Sequence, residues 1–526
     1  MIMIAPFLIK DTYWQDFTVD KKDIENIYNL LLEKAVPLPA NEILEYLINN
    51  RIKLELDSFQ KQKSSQGKVY LPKEEFNVGD IISFPALNME KGKVLSIRDG
   101  FNPDFLDMKV IEVDFDSGKS RSFASHLENH PLNNVMEIPE NDPNLDTALV
   151  KENYGEILIH RLEEALNKND DLVKIAGSWF PRSLLVDVHI GHLNLAEAIL
   201  EEAEGGPIST NDLMKQVDLA ANADEKLLEF SFDLALQEDS RFDEVGPSGQ
   251  TLWFLKELEP LDVKEIPLFL KYSPKEYSVE GLDKFMEMLE GNLYDELEKM
   301  ETPGLSAEKA SISLSFPHWR SGTLPVSKSL KKMFPSAYEA PRVMFTFFDP
   351  QENERFSGWV VRASKYISGL DKWYLKHELM PGSIVTVEKS KIPGEIIIKF
   401  DKSRQNKEWL KTVLVGSDQG FVFAMLKHPL TANFDERMAI AIPDVSALDE
   451  IWKNHVYEKE SIDKTIIRVL RELAKLNPQQ QVHAQELYAA VNILRRCPPS
   501  LILYHLLNNN QVEHLGDLYF RIGEKE

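Results

Sequence analysis

The spacing of apolar positions alternates along the chain between a helical and a strand period, and each change marks a candidate module. In KKDIENIYNLLLEKAVPLPANEILEYLINNR, Ile24, Ile27, Leu31 and Leu32 recur at helical spacing, as do Ile43, Leu44, Leu47 and Ile48. The spacing predicts two amphipathic helices split by AVPLPA. A strand in QGKVYLP then closes a first module over residues 11–73. From Phe76 to His126 the period becomes that of strands, with turns at VGD, EKG and DSG. Ile81, Val94, Ile97, Val110, Ile111, Val113 and Phe115 are the predicted core of a small barrel over 76–130. The acidic run ENHPLNNVMEIPENDPNLD predicts a linker over 131–150. Helical spacing returns over 151–260 and ends in SRFDEVGPSGQTLWFL, two short strands that would bring Trp253 and Leu255 back onto the helices. A helical connector is expected over 261–304. Residues 459–526 repeat the theme with three helical segments and the strand pair VEHLGDLYFRIG.

The stretch between differs. In AEKASISLSFP, Ile312, Leu314 and Phe316 alternate with small polar residues, HWRSG reads as a turn, and TLPVS reads as a short strand. KSLKKMFP is one or two helical turns stopped by Pro335. RVMFTFFD, ERFSGWVVRASKYISGL, PGSIVTVEKS and EIIIKF are strands, with a helix at DKWYLKHELM. Interrupted strands with two short helices predict a pseudobarrel over 305–415, with 416–458 as its extension or a linker. The fold class is multidomain α+β.

Charge changes this picture. The 526-residue chain carries a formal net charge of −25, which argues against uniform coating of a nucleic acid. Between Ser311 and Lys411, however, 17 Lys and Arg face 10 Asp and Glu, a local +7 that leaves −32 for the remainder. Such asymmetry points to one segment that meets a polyanion, or to a domain with a basic surface only. The single cysteine, Cys497, excludes internal disulfides and thiolate-rich zinc sites and fits a cytoplasmic setting. The apolar start, MIMIAPFLIKD, lacks a basic n-region, and no run approaches bilayer length, so no membrane association is expected.

The search for catalytic chemistry finds no phosphate-binding glycine loop. His189 and His192 sit three apart without a third ligand at metal-site spacing, which favours a helix cap. Cys497 reads as a helix-end residue. Asp444, Asp449 and Glu450 have the spacing of a helix rather than of a nuclease strand pair. The expectation is a non-enzymatic protein with no catalytic residue, metal or cofactor.

Several stretches resemble known families. Helices followed by a short hairpin, in 11–73, 151–260 and 459–526, resemble winged helices, the second of the type found in the acidic delta subunit of bacterial RNA polymerase. The barrel entered by FNVGD resembles KOW- and Tudor-like barrels and the RNA-polymerase-interacting domains of some bacterial transcription factors. The order LP-x-S-x-x-L-x-x-x-FP, GWVVR, then LDKWYLKHELMPGSIV is similar to the DNA-binding pseudobarrel of plant auxin-response factors and of restriction-endonuclease recognition domains. Gly382-Ser383 stands where that family commonly has glycine-aspartate.

That resemblance implies two arms gripping a major groove. The first falls on His318, Trp319, Arg320 and Ser321, with Lys328 behind, and the second on Arg362, Ser364, Lys365 and Tyr366. Trp319 could equally plug the barrel surface. Trp359, Trp373 and Tyr374 read as core, and Lys331 and Lys332 as a solvated helix face. Arg468, Arg471, Arg495 and Arg496 make the C-terminal unit a secondary DNA-contact candidate. The partner implied is double-stranded DNA, in a transcription-associated role. The alternatives are an acidic scaffold for RNA polymerase or another protein, and a nuclease-associated specificity subunit.

Overall fold

The computed structural model describes residues 12–523 except 66–67, 85–86, 88–89, 103–104, 106, 116–117, 119, 134–141, 218, 220–222, 290–292, 301–307, 329 and 338, and except the side chains of 59–65 and 403–406. The chain forms two compact units, Met1–Leu185 and Val186–Glu526, both mixed α and β.

In the first unit, helix Lys21–Lys34 starts where the Asp20 carboxylate accepts the Asp23 amide in a capping box. It buries Ile27, Leu30 and Leu31, while Leu32 faces solvent. Helix Ala40–Ser65 buries Ile43, Leu44, Leu47 and Ile48 as spaced. The strand expected to close this module does not. Lys68–Val69 pairs instead with Ile82 and Ser83 in a five-stranded sheet. The partners of Leu38–Pro39 are Ser178–Pro181 and, beyond it, Leu172–Ile175. The five-stranded sheet is therefore inserted into the helical unit, whose third helix is Thr147–Asn167, and the expected 151–260 module divides near residue 185. Sequence proximity favoured the nearer strand, but only the later hairpin supplies Trp179 and Phe180, which are buried. Of the expected linker 131–150, residues 134–141 lie outside the described residues; beyond them the Trp14 indole donates to the Asn144 carbonyl at 3.1 Å, and Asp146 caps the third helix.

The core on this five-stranded sheet holds Val94, Ile111, Val113 and Phe115 as expected, with Tyr70, Phe76, Ile82 and Phe84. Ile81 is 61% exposed, because successive strand residues point to opposite faces and Ile82 takes the inward position.

The second unit opens with helices Ile190–Glu202, Thr210–Val217 and Glu225–Glu238 and the strands Ile208–Ser209, Phe242–Glu244 and Leu252–Leu255. Trp253 and Leu255 pack onto those helices. The expected helical connector holds only short turns, at Leu261–Lys264, Leu268–Leu270 and Asp283–Glu287, among its described residues. A curled half-barrel sheet follows, with seven strands in the order Lys309–Ser313, Ile384–Lys389, Glu395–Phe400, Arg342–Asp349, Glu354–Val361, Tyr366–Ser368, Thr323–Pro325. Leu324, Phe345, Phe347, Trp373, Tyr374, Val385 and Ile398 fill it.

A long hairpin, Lys402–Val415 with Phe421–Ala432, crosses the boundary expected at 415/416, since GSDQG is its turn and not a domain edge. Helices Val445–Lys453, Ile462–Ala474, Ala484–Leu494 and Pro499–Asn508 share one core with that hairpin. The strands Val482–His483, Val512–Gly516 and Tyr519–Ile522 close the C-terminal unit.

One ion cluster joins these parts. Arg496 donates to both carboxylate oxygens of Asp295, at 2.9 and 2.7 Å, and to Glu296 at 2.9 Å. The Tyr488 hydroxyl donates to Asp295 at 2.7 Å, and His318 meets Glu296 at 2.8 Å. All five residues are buried. Burial alone would raise Glu296, but Arg496 and His318 overcome it and hold its carboxyl well below the usual range. Replacing Arg496 by methionine strands two buried carboxylates and should cost about 3–5 kcal/mol in urea denaturation. Unchanged stability would refute the cluster's role.

Candidate nucleic-acid interface

The HWRSG stretch is not a turn. Ser315, Phe316 and Pro317 start a helix over Phe316–Ser321, and Gly322 ends it at φ +62°. A Cβ there would lie 2.6 Å from the Asp371 backbone and side chain, so only glycine fits. The helix turns its side chains inward. His318 is buried between Glu296 and Thr323, at 2.8 and 2.9 Å. The Trp319 indole donates to the Leu379 carbonyl at 2.6 Å and packs against both large cores, which makes it a plug. Arg320 grips Asp449 through two bonds, at 3.0 and 2.8 Å. The Ser321 hydroxyl is buried.

Strand register decides whether the two arms meet. Thr323, Leu324 and Pro325 lie opposite Ser368, Ile367 and Tyr366, an antiparallel pairing. Before this pairing, the Leu370 amide donates to the Gly322 carbonyl at 3.0 Å; after it, the Val326 amide donates to the Lys365 carbonyl at 2.7 Å. Residues 318–321 therefore sit at one end of the paired strands and the turn 362–365 at the other. The two groups of residues expected to act as arms thus flank opposite ends of this strand pair.

The Lys365 end has basic residues of its own. The chain leaves that end at Val326 and is back beside it at Pro341. There the Arg362 amide donates to the Pro341 carbonyl at 3.1 Å and its guanidinium to the Ala340 carbonyl at 2.6 Å. Lys328, Lys331, Lys332, Arg362 and Lys365 are all exposed on these two neighbouring loops, with Ser364 half-buried. Lys328 also donates to the Lys299 carbonyl at 3.1 Å. Lys365 holds φ +55°, a strained conformation fixed by the tight turn. Tyr366 is buried. Its hydroxyl donates to the Asp262 carbonyl at 2.6 Å, and burial pushes its pKa to about 12, so it is a packing residue.

The C-terminal arginines divide in the same way. Arg496 belongs to the ion cluster, and Arg495 is buried, donating to the carbonyls of Tyr457 and Glu460 at 2.8 and 2.9 Å. Neither reaches solvent. Arg468 pairs with Glu460 at 3.0 Å, and Arg471 donates to Gln511 at 3.3 Å, both at the surface. The other candidate groups are structural. His189 and His192 form a reciprocal helix cap, Asp444 caps helix Val445–Lys453, and Glu450 pairs with Lys453. The Cys497 thiol is pushed up by burial and is a poor nucleophile. Among the described residues, no group of three or more His, Cys, Asp or Glu side chains could hold a metal ion, and no helix is long and apolar enough to cross a membrane.

Reading the sequence alone left Lys331 and Lys332 as a solvated helix face. The signal that could have singled them out is local: three lysines without an acid between Thr323 and Pro335. Their neighbourhood with Lys365 depends on strand pairing, which the local spacing does not encode. No family model, curated protein or solved structure matches the chain.

The face behind Tyr366 and Trp359 is covered by the hairpin of residues 242–255, and this contact is rich in acids. Arg342 donates to Asp243 and to Glu259, each at 2.8 Å. Burial, then the negative charges of Glu339, Asp233 and Asp243, push Glu244 up to about 8, despite the Gly246 amide bond. Burial and Asp243 raise Glu259 to about 7 against the pull of Arg342, and burial raises Asp233 to about 7. Each folded-state pKa lies above the unfolded value of about 4, so the folded chain retains protons that the unfolded chain releases. Stability should therefore be greatest below the unfolded values and fall as pH rises through about 7–8. Thermal melts from about pH 5 to about pH 9 should show this decline. Glu244→Gln, which keeps an acceptor for Gly246 without a titrating group, should flatten it. Stability rising with pH would overturn the assignment.

Proposed function

We propose that this is a non-enzymatic, transcription-associated protein that binds double-stranded DNA at the Lys365 end of the half-barrel. The observation that carries the reading is the Val326–Lys365 hydrogen bond, which starts the lysine-bearing segment at the turn 362–365. Lysines and an arginine on two adjacent loops, within a segment of local charge +7, suit phosphate contact better than base reading. Arg362 spends donors on backbone carbonyls, which rigidifies the turn and leaves less for a bidentate guanine contact. Sequence-tolerant backbone binding is the mode this favours.

In this reading the half-barrel serves as a DNA-binding pseudobarrel. The helical units serve as winged helices, because each runs helix, short strand, helix, helix, hairpin. Their second and third helices are poor in exposed cations, so they act as scaffold and protein contacts rather than groove readers.

A second reading, docking of RNA polymerase or another protein, draws on the small KOW- or Tudor-like barrel. Val78 and Ile81 flank the bond from the Gly79 amide to the Val94 carbonyl, Leu95 follows it, and all three are exposed. The two readings occupy different units and are compatible.

The test is duplex binding by the full chain, followed by fluorescence anisotropy at two salt concentrations. Lys331, Lys332 and Lys365 changed together to alanine should weaken binding about tenfold or more and lower the salt dependence by about one counterion per lost contact. Arg320→Ala, whose native partner is Asp449, should leave affinity unchanged. Native affinity in the triple variant would reject the loops as the contact. Co-purification of polymerase that survives the triple change would carry the second reading alone.

A further inference from the structure

The chain has eight tryptophans and buries or half-buries all but one. Trp409 is 60% exposed. It stands on the long hairpin directly opposite Lys427, whose ammonium lies 5.2 Å from the ring centroid.

The hairpin register shows what surrounds it. Directly opposed strand residues share a face, and alternate residues along each strand return to that face. Lys407 with Pro429, Trp409 with Lys427, Lys411 with Met425 and Val413 with Phe423 therefore stand on one side. Val413 and Phe423 are buried in the shared core, and Lys411 turns inward onto Glu486 at 2.6 Å and two backbone carbonyls. The same face then emerges at Met425 and becomes exposed at Trp409, Lys407 and Lys427. Neither Lys407 nor Lys427 has a carboxylate partner among the described residues. The result is a large flat π-surface in solvent, bracketed by two unneutralised cations, in a chain of net charge −25.

Stability does not call for this arrangement. A cation–π contact at an exposed site contributes only about 0.5–1 kcal/mol, whereas an exposed indole leaves a large apolar surface in water. What the arrangement fits is a ligand with its own π-face and flanking negative charge. We infer that Trp409 is a stacking platform for an unpaired base of single-stranded nucleic acid, with Lys407 and Lys427 holding the flanking phosphates. A base inside a duplex has both faces covered by its neighbours, so the ligand must be unpaired. A protein partner is the competing occupant. It would use the outer edge of Phe421–Ala432, which has no strand on its far side among the described residues.

This site shares only its class of ligand with the loops at the Lys365 end, and none of its residues. The experiment uses the full chain and a labelled oligothymidylate of about fifteen nucleotides. Trp409→Ala should weaken its binding about tenfold while duplex affinity stays native. Trp409→Phe, which keeps a π-face, should restore most of the loss, a rescue that a fold defect would not allow. Lys407→Ala with Lys427→Ala should weaken binding and flatten its salt dependence. Sedimentation of the protein alone is measured alongside. The proposal is overturned if the native chain ignores the oligothymidylate or if Trp409→Ala binds it as tightly as the native chain. It is also overturned if the native chain is a dimer that Trp409→Ala dissociates with oligothymidylate affinity intact. Failure of the loop assignment would show elsewhere, as native duplex affinity in the triple-lysine variant.

Discussion

A guanidinium buried between two carboxylates is the constraint on which the larger unit depends. Arg496 comes from the end of helix Ala484–Leu494, Asp295 and Glu296 from an irregular segment ahead of the half-barrel, and His318 from the short helix between its first strands. Each ion carries a desolvation cost of several kcal/mol that only the others can offset. The cluster is therefore satisfied as a whole or not at all. Bidentate geometry on Asp295 fixes orientation as well as proximity, which a hydrophobic contact of similar size would not.

That constraint propagates into the sheet. His318 is held through Glu296 on one side and Thr323 on the other, and the Tyr374 hydroxyl donates to the Thr323 carbonyl at 2.8 Å. The start of strand Thr323–Pro325 is thus anchored to the interior. Its far end, after Pro325, is left to carry the lysines outward beside the turn 362–365. The division between an inward, ion-paired end and an outward, basic end follows from one short strand pairing. It puts the buried, hydrogen-bonded His318 at one end of the strand pair and the exposed Lys365 at the other.

The hairpin of residues 242–255 sits on the half-barrel by a looser version of the same device. Arg342 stands between Asp243 and Glu259, while further acids, Glu244 and Asp233 among them, crowd the contact. The carboxyls there hold protons near neutral pH, whereas Glu296, facing Arg496 and His318, gives its proton up. The ratio of cations to acids, more than burial itself, separates a permanent ion cluster from a titrating one.

Local patterns settled much of this protein. Helical periods placed Ile43, Leu44, Leu47 and Ile48 inside, alternation placed Ile312 and Leu314 inside, and the spacing of His189 and His192 pointed to a helix cap. These are short-range properties: a helix face, a strand face and a cap are each fixed within a few residues. The sequence alone determined most of the elements, though not the helix Phe316–Ser321, together with the mixed α+β class and the concentration of positive charge between Ser311 and Lys411. Tertiary structure alone decided which strand completes the first helical unit, that Arg495 and Arg496 are interior, and that Val326 rather than Arg320 lies beside Lys365. Those outcomes rest on pairings between residues tens to hundreds of positions apart. An arginine looks the same in sequence whether its partner is a phosphate or a buried aspartate 201 residues away.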